Sequence, residues 1–320
     1  MTRVIRYMMA AIILLLAVSS CTKEYYYSHH GCQVNLVADL GSINTRAIAD
    51  GQTVNEVAWA VYKHGSSTPL DDMWGTMPIS GKQAELSVRL VTGREYDLIF
   101  FAYYTENPVT EITYNGTINP MFYNIDLYNQ SLTVEYNGAT ANDERRDCFW
   151  HAEQGLTVSG PINKTFTLKR PLAQLNFGVD IHDIELANEA GYKISDTAIK
   201  VDSYTELNLM DGSLSEKEPV TIYFNKAQTP VYNDDILTIA NNNKEYKYLA
   251  TTYVLVGSKC TSDISLDIYD NTDYLINTFT YSFVPLQRNY RTNIIGSLLT
   301  NPHIFTIVVD NNFTDDHNEF

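Results

Sequence analysis

The side chain with the clearest chemical role in this sequence is the thiol of Cys21. Ser19 and Ser20 place two small residues directly before it, and residues 8–18 form an unbroken run of apolar side chains preceded by two arginines. A basic start, a short apolar stretch and small residues before a cut site are typical of a secretory signal peptide. We therefore predict that residues 1–20 are removed by cleavage between Ser20 and Cys21, and that the thiol of Cys21 is then acylated.

The apolar run is too short to be a stable membrane span. As a helix it covers about 16 Å, whereas the hydrocarbon core of a bilayer is roughly 30 Å thick. An ordinary secreted protein with an unmodified cysteine and an uncleaved anchor are two alternatives, but the position of Cys21 at the cut site favours a lipoprotein. Residues 21–31 are then a lipidated tether, and no later stretch reaches 18 consecutive apolar residues.

Other reactive side chains do not form a recognisable catalytic or metal site. His29 and His30 lie in the tether without the further ligands that a metal site needs. Asp267, Asp270 and Asp273 have some likeness to a calcium loop but lack its glycine and distal glutamate, so a solvated hairpin is favoured. No nucleophile elbow, zinc-protease motif, phosphate-binding loop or dinucleotide fingerprint occurs. We predict no enzyme activity, no cofactor and no metal.

Two further residue types leave alternatives open. Trp59, Trp74 and Trp150 could line a glycan-binding surface, although tryptophans in a β-rich protein are more often part of the core. Apart from Cys21 the chain has three widely spaced cysteines and no CxxC pair, which allows at most one disulfide and excludes a zinc ribbon. These cysteines are Cys32, Cys148 and Cys260.

The elements that carry these side chains are predicted to be β-strands. From residue 32 to residue 40 apolar and polar positions alternate, which indicates a strand with one buried face. The apolar positions are Val34, Leu36, Ala38 and Leu40. Residues 293–299 are predicted to be a short turn or helix. Further strands are predicted at 57–62, 84–90, 96–104, 132–136, 164–168, 172–179, 220–224, 248–256, 264–269 and 275–284.

Length and composition then limit the architecture and the partners. With 44 % hydrophobic and 19 % charged residues, the chain can build a core and is not disordered. A net charge of −16 repels phosphate backbones, so we expect no nucleic-acid partner. Many short strands without alternating helices predict an all-β fold. The 320 residues favour two β-sandwich domains in tandem, 32–160 and 161–320, with a seam at the turn dipeptide Gly160-Pro161.

Three segments carry a resemblance to a known family. The first is Cys21, the strand 32–40 and Thr45-Arg46-Ala47, the second is LKRPLAQLNF at 168–177, and the third is VPLQRNYRTNIIGSLLT at 284–300. Together and in this order they resemble the fimbrillin family of Bacteroidetes type V pili. The resemblance implies two tandem β-sandwich domains of the transthyretin-like type, in agreement with the predicted seam.

For this chain the resemblance implies assembly by protease-triggered strand exchange. A palmitate-bearing Cys21 would hold the precursor at the outer membrane until an Arg-specific protease cuts between Arg46 and Ala47. The strand 32–40, with its apolar face of Val34, Leu36, Ala38 and Leu40, would then leave. The vacated groove would present unpaired backbone groups to a strand from another pilin subunit.

The last strand of the chain is the candidate donor. Phe305, Ile307 and Val309 alternate with Ile304, Thr306 and Val308, so both faces of this strand lean towards apolar. It either enters another subunit or completes the C-terminal sandwich of its own chain. The sequence leaves both alternatives open.

Two functions are compatible with these observations. The first is a structural subunit of a cell-surface fimbria, at the stalk or the tip, since the cleavable position of Arg46 disfavours a permanent anchor subunit. The alternative is a permanently lipid-anchored lipoprotein that binds glycans or acts as an adhesin, with host or bacterial surface ligands. Cleavage at Arg46 distinguishes the two.

Overall fold

The computed structural model describes residues 31–41, 51, 53–107, 116–136, 143–225, 236–238, 245–301 and 303–310. Most of these residues lie in strands, which confirms the all-β fold class. The strands are β1 (Gly31–Asp39), β2 (Glu56–Lys63), β3 (Pro69–Pro78), β4 (Gln83–Val91), β5 (Arg94–Tyr103), β6 (Thr117–Ile118), β7 (Tyr123–Asp126), β8 (Ser131–Val134), β9 (Phe149–Val158), β10 (Ile162–Thr167), β11 (Leu172–Asp180), β12 (Ile194–Tyr204), β13 (Glu206–Asn208), β14 (Lys217–Asn225), β15 (Ile236–Thr238), β16 (Glu245–Leu255), β17 (Cys260–Asp270), β18 (Leu275–Leu286), β19 (Arg291–Gly296) and β20 (Phe305–Asp310).

Helical structure is sparse in the described part of the chain. It consists of a 3-10 turn (Glu144–Arg146) and the helix α1 (Ile181–Glu189). Asp180 caps α1 by accepting a hydrogen bond from the backbone nitrogen of His182 at 3.0 Å. Among the described residues, no helix has the length and apolar character that crossing a membrane requires.

Two sheets enclose the first core. The front sheet has the order β10-β1-β4, and the middle sheet has the order β3-β2-β5-β9. Each strand of the front sheet turns alternate side chains inward, so that its apolar residues meet one face of the middle sheet. The described residues on both sides form one continuous hydrophobic cluster that includes Val34, Leu86, Phe100 and Phe166.

The central strands of the middle sheet, β2 and β5, are buried on both faces, and the second face belongs to a second core. Ile99, Phe101 and Tyr103 of β5 point away from the front sheet and are fully buried. They share a cluster with the small sheet β6-β7-β8-β13 and with the strands after residue 170. In the small sheet, β13 pairs with β8 from the first half of the chain. The two halves are therefore joined by a shared core and a shared sheet.

The strands after residue 170 form a nine-stranded sheet that folds over itself. One limb contains β18-β17-β12 with β14, and the other contains β15 with β16-β11-β19-β20. The limbs are joined through the single residue pair Tyr204–Leu255. The rings of Phe177 in β11 and Tyr281 in β18 lie 5.9 Å apart, which shows that the limbs face each other.

Two strands, β19 and β10, lie where the sequence led us to expect something else. The prediction of a turn or helix at 293–299 was wrong for residues 293–296, because Arg291–Gly296 is the strand β19, which runs parallel to β11, whereas residues 298–299 do lie in a turn. This strand is buried on both faces and so lacks the alternation by which a strand is recognised. β10 lies after the predicted seam at Gly160-Pro161 yet pairs with β1, so the front sheet extends to Thr167. The division into two tandem domains stays a prediction.

Candidate functional site

The candidate site is the position that β1 occupies in the front sheet. β1 lies between two strands, antiparallel to β4 from Gly31 to Asp39 and parallel to β10 from Val34 to Asp39. Neighbouring strands are about 4.8 Å apart, so β4 and β10 stand roughly 9.6 Å apart with β1 between them. Without β1 they would border a slot one strand wide, which we call the β1 slot.

The inward face of β1 is the apolar face that the sequence predicted. The side chains of Val34, Leu36, Ala38 and Leu40 are 0 %, 1 %, 1 % and 4 % exposed. Burying a valine or leucine side chain stabilises by about 1.5–3 kcal/mol, so the three larger residues together contribute roughly 5–9 kcal/mol. That is comparable with the whole stability of a typical domain, about 5–15 kcal/mol. The strand is therefore firmly held without any covalent crosslink.

The outward face of β1 carries a ladder of polar side chains. Asn35 Nδ2 donates to Asn163 Oδ1 on β10 at 2.8 Å, and Ser87 Oγ on β4 donates to Asn35 Oδ1 at 2.8 Å. Gln33 Nε2 also donates to Asn35 Oδ1 at 3.2 Å. These side chains are exposed, and a hydrogen bond of this kind contributes about 0.5–1.5 kcal/mol. The ladder identifies which face of an occupying strand meets water.

Backbone contacts define both ends of the slot. Leu168 donates its N–H to the carbonyl of Asp39 at 2.8 Å, and Leu40 donates to Lys82 at 3.0 Å. Gly41 follows at φ +79°, a left-handed conformation that glycine adopts without strain, and turns the chain away from the sheet. At the other end, Arg89 Nη2 donates to the carbonyl of Gly31 at 2.7 Å.

The predicted processing residues lie outside the described residues. These are Ser20 and Cys21 at the signal cleavage position and Arg46 and Ala47 at the protease position. Their roles stay predictions. The tether histidines, His29 and His30, also lie outside the described residues.

One wall of the slot is formed by the ring of Phe166 on β10. This ring lies 5.5 Å from the ring of Phe100 and 4.9 Å from the ring of His151 on β9. Lys164 Nζ stands 4.9 Å from the centre of the same ring and forms a 2.6 Å ion pair with Glu153. Aromatic and charged neighbours thus hold Phe166 from several sides.

The electrostatic environment of His151 belongs to this wall. Burial lowers the pKa of His151 below its usual value, since the charged imidazolium loses water there. Glu153 opposes the shift of this pKa, and Lys164 and Lys169 add to it. The imidazole next to Phe166 is therefore favoured in its neutral form.

The candidate donor strand completes a sheet of its own chain. All six residues of β20 are in register with β19, and β20 pairs with β19 alone among the described strands. Phe305 and Val309 are 40 % and 39 % exposed, and Ile307 is half-buried. The ring of Phe305 contacts that of Tyr281 at 4.9 Å. The last strand is thus an edge strand with apolar side chains partly open to solvent, and its role as a donor stays a prediction.

The three tryptophans are packed into the protein. Trp150 Nε1 donates to the carbonyl of Leu209 at 2.7 Å, and the ring of Trp74 meets Tyr128 edge-on at 5.9 Å. Trp59 packs against the first core. All three are only partly exposed, so none offers an open platform of the kind that stacks on a sugar ring.

The aspartates near residue 270 belong to a hairpin. Asp270 Oδ1 accepts hydrogen bonds from the backbone nitrogens of Thr272 and Tyr274 at 2.7 and 3.0 Å, in the turn between β17 and β18. Asp267 forms a 2.6 Å ion pair with Lys200. Within the part of the chain that the structure describes, no group of three or more His, Cys, Asp or Glu side chains is arranged to hold a metal. Cys32, Cys148 and Cys260 are free thiols.

Sequence reasoning missed a buried ion pair between the two halves. Arg170 Nε and Nη2 donate to Asp147 Oδ1 and Oδ2 at 2.7 and 2.8 Å, and both side chains are 1 % exposed. The guanidinium also lies 4.3 Å from the centre of the Phe149 ring. Arg170 stands in the LKRPLAQLNF segment, but no periodic pattern connects it with a partner 23 residues earlier.

Comparison with known proteins assigns the chain to a family. The sequence profile of the family of unknown function DUF6562 matches residues 29–319, and the chain belongs to this family. None of the curated proteins matches the sequence.

Several solved structures are similar to this chain at low sequence identity. The tip fimbrial protein Mfa3 from Porphyromonas gingivalis aligns with a TM-score of 0.45 and 9 % identity over 87 % of this chain and 99 % of Mfa3. A fimbrial assembly protein from Parabacteroides distasonis aligns with a TM-score of 0.39 and 12 % identity over 88 % of this chain and 96 % of that protein. A candidate polysaccharide-binding protein from Bacteroides thetaiotaomicron aligns with a TM-score of 0.46 and 13 % identity over the same shares of the two chains. Fimbrial proteins, the group named by the sequence resemblance, are thus among the similar structures.

Proposed function

We propose that this member of the DUF6562 family is a structural subunit, at the stalk or the tip, of a cell-surface fimbria. It is exported as a lipoprotein and joins the fimbria by protease-triggered strand exchange. The observation that carries the proposal is the position of β1, which is a central strand of the front sheet and precedes every other described strand. A single cut between β1 and β2 therefore removes the covalent link between β1 and the sheets that enclose it.

Arg46 is the residue at which we propose this cut. It lies between Gly41, where the chain leaves the front sheet, and Glu56, where β2 begins. Cleavage between Arg46 and Ala47 would place β1 and the lipid on Cys21 in the departing fragment. In this proposal, the lipid holds the precursor at the outer membrane and does not anchor the mature subunit.

The energetics favour displacement over simple release. Exposing the inward face of β1 costs about 5–9 kcal/mol of hydrophobic burial, so the cut strand remains bound on its own. A second strand with a similar apolar face restores the same burial and the same backbone hydrogen bonds. The free-energy change of the exchange is then small, and cleavage acts by making the exchange possible.

The donor half of the proposal places the last strand in another pilin subunit. β20 lies at the edge of its sheet, where fewer backbone hydrogen bonds hold it than hold a central strand such as β11. Phe305, Ile307 and Val309 would supply the face that enters the partner's groove. Such a role requires β20 to detach from β19.

The test uses the chain without residues 1–20 and an Arg-specific protease. We expect a single early cut that leaves Ala47 as the new N-terminus, after which the cut segment exchanges for an excess of labelled peptide of residues 31–41. The matched control is Arg46→Lys, which keeps the positive charge but removes the cleavage specificity. Intact-mass measurement and gel electrophoresis report the two steps separately. A cleaved chain that never exchanges this segment for the peptide would contradict the proposal.

The alternative proposal is a permanently lipid-anchored adhesin or glycan-binding protein that recognises host or bacterial surface ligands. It requires residues that offer a binding platform, and the packing of Trp59, Trp74 and Trp150 gives these three residues another role. Mass spectrometry of the N-terminus on intact cells distinguishes the two proposals. An acylated Cys21 on the mature protein would favour the alternative, whereas Ala47 as first residue supports the fimbrial subunit.

A further inference from the structure

The third inward position of the β1 slot accepts only a small side chain. Ala38 stands in register with Phe166 on β10 and with Ala84 on β4. The two alanines are 1 % and 2 % exposed, and Phe166 is 3 % exposed. The Phe166 ring thus lies beside the methyl group of Ala38, the methyl group of Ala84 follows on the far side of Ala38, and all three residues belong to the first core.

Phe166 cannot easily move to admit a larger neighbour. Its ring is flanked by the rings of Phe100 and His151 at 5.5 and 4.9 Å, and Lys164 Nζ covers it at 4.9 Å. The Lys164 ammonium is itself held by Glu153 at 2.6 Å. Protein cores tolerate added methylene groups poorly where the surrounding side chains are fixed.

The positions on either side of Ala38 are built for larger apolar side chains. Leu36 lies in register between Leu86 and Lys164, and Val34 lies between Val88 and Ile162. Leu40 follows Ala38 at the end of the slot and is 4 % exposed. The inward positions of the slot, 34, 36, 38 and 40, are therefore suited to a large apolar side chain at every position except 38, which holds a small one.

The outward face adds a second requirement. Asn35 is hydrogen-bonded to both neighbouring strands, and Gln33 is bonded to Asn35. A strand with an apolar residue at the Asn35 position leaves Asn163 and Ser87 without these hydrogen bonds, whereas Val37 of β1 shows that an apolar residue is accepted next to Ala38. The slot thus favours an occupant with one apolar face and a polar residue at the Asn35 position.

With either face turned inward, the last strand of this chain fits the slot less well than β1. With Phe305, Ile307 and Val309 turned inward, every register places a valine or a larger residue against Phe166. With Thr306 in the small position, Ile304 and Val308 fit the flanking positions. Phe305 and Ile307 then replace Val37 and Asp39 on the water-facing side.

Resting on the proposed function, we propose that the β1 slot takes its strand from a different polypeptide and not from a second copy of this chain. The donor has a Gly, Ala or Ser side chain at the Ala38 position, Val, Leu or Ile two residues to either side, and a polar side chain at the Asn35 position. The fimbria is then a hetero-assembly at this contact.

The experiment measures which peptides displace β1. The residues from 43 to 49 are replaced by the recognition sequence of a site-specific protease, so that cleavage does not depend on Arg46. The full chain from residue 21 is labelled on its N-terminal segment, cut, and incubated with an excess of peptide. Loss of the labelled segment from the protein gives the displacement rate.

Four peptides make the test specific. The native peptide of residues 31–41 is the reference, and its Ala38→Leu variant tests the small position. The Val37→Leu variant is the matched control, since it adds apolar bulk on the outward face. A peptide of residues 303–310 represents a second copy. We expect the native and Val37→Leu peptides to displace at similar rates, and the Ala38→Leu and 303–310 peptides to be slower by about tenfold or more.

Each outcome decides a separate point. Equal rates for Ala38→Leu and Val37→Leu would overturn the size requirement, and rapid displacement by the 303–310 peptide would overturn the different-polypeptide inference. In either case the proposed function stands, because exchange occurs. If the native peptide fails to displace the cut strand, the slot does not exchange, and both the proposed function and this inference fail.

Discussion

β1 and β11 are two central strands with the same local topology and, in the proposed function, opposite roles. Each has nine residues, one parallel neighbour and one antiparallel neighbour. The parallel neighbour is β10 for β1 and β19 for β11, and the antiparallel neighbours are β4 and β16. Pairing geometry alone therefore does not make a strand removable.

The difference lies in the second face of each strand. β1 buries one face and exposes Gln33 and Asn35 on the other, whereas β11 is buried on both faces. Asn176 of β11 donates to Asn293 Oδ1 at 2.7 Å and accepts a hydrogen bond from Thr251, in a ladder closed to water. Removing β11 would expose the core on both of its faces, whereas removing β1 would expose the core on only one face. Burial of the second face therefore makes a central strand more costly to remove.

The largest expected effect comes from the ion pair that anchors the start of β11. Arg170→Met leaves the Asp147 carboxylate buried without its partner, and we expect a loss of about 3–5 kcal/mol in the free energy of unfolding. The control is Arg145→Met, whose side chain is 36 % exposed and whose ion pairs are worth about 1 kcal/mol or less. Urea titration followed by circular dichroism measures both. Similar losses for the two variants would show that the ion pair does not anchor β11.

Core substitutions in β1 and β11 are expected to lower stability to a similar extent but to differ in their effect on the displacement of β1. Phe177→Ala in β11 and Leu36→Ala in β1 both empty a core position, and we expect losses of about 3–5 and 2–5 kcal/mol in the uncut chain. In the chain cut between β1 and β2, Leu36→Ala accelerates displacement of β1 by at least about tenfold. Phe177→Ala leaves that rate unchanged, because β11 remains in place. Acceleration by both variants would break the distinction between the two strands.

Substituting the two asparagines tests the second faces directly. Asn176→Ala leaves the buried side chains of Asn293 and Thr251 with lost partners, at about 1–3 kcal/mol for each unsatisfied group. Asn35→Ala removes exposed hydrogen bonds to Asn163 and Ser87, which water replaces, at about 0.5–1.5 kcal/mol. Unfolding in urea gives the two values. A larger loss for Asn35→Ala would reverse the order that burial predicts.

The smallest expected effect is a dependence of the β1 slot on pH. Burial lowers the pKa of His151 in the folded protein, so the folded protein binds fewer protons than the unfolded chain does. Stability contributed by neutral His151 is therefore present above its unfolded pKa, near 6.5, and is lost as the pH falls below it. We expect β1 to be displaced faster at pH 5.5 than at pH 8.

The control for the pH effect is His151→Phe, which keeps an aromatic ring against Phe166. In this variant the displacement rate should lose part of its pH dependence. The pKa of His64 is raised by its hydrogen bond to Asp97, which has the opposite effect, but His64 is present in both proteins. An unchanged pH profile in His151→Phe would show that His151 does not cause the pH dependence.

Strands with one buried face were predictable from the sequence, and strands buried on both faces were harder to recognise. The predicted strands at 32–40 and 84–90 agree with β1 and β4 to within one residue at each end, since alternation marks every position. β19 was misread as a turn or helix because its residues are buried on both sides. β12 was missed, although it pairs with three strands. Several of its buried residues, Thr197, Ala198 and Ser203, are small or polar, so the buried face is not marked by large apolar side chains.

The sequence by itself determined the chemistry of β1, namely which side chains form its apolar face and where Arg46 follows it. Only the tertiary structure decided that β1 lies between β4 and β10, that Phe166 lies in register with Ala38, and that Arg170 pairs with Asp147. Periodicity records which face of a strand meets the core, because each residue contributes to it locally. The choice of neighbours depends on contacts such as Asn35 with Asn163, which are 128 residues apart in the chain. Such contacts exist only once the chain has folded.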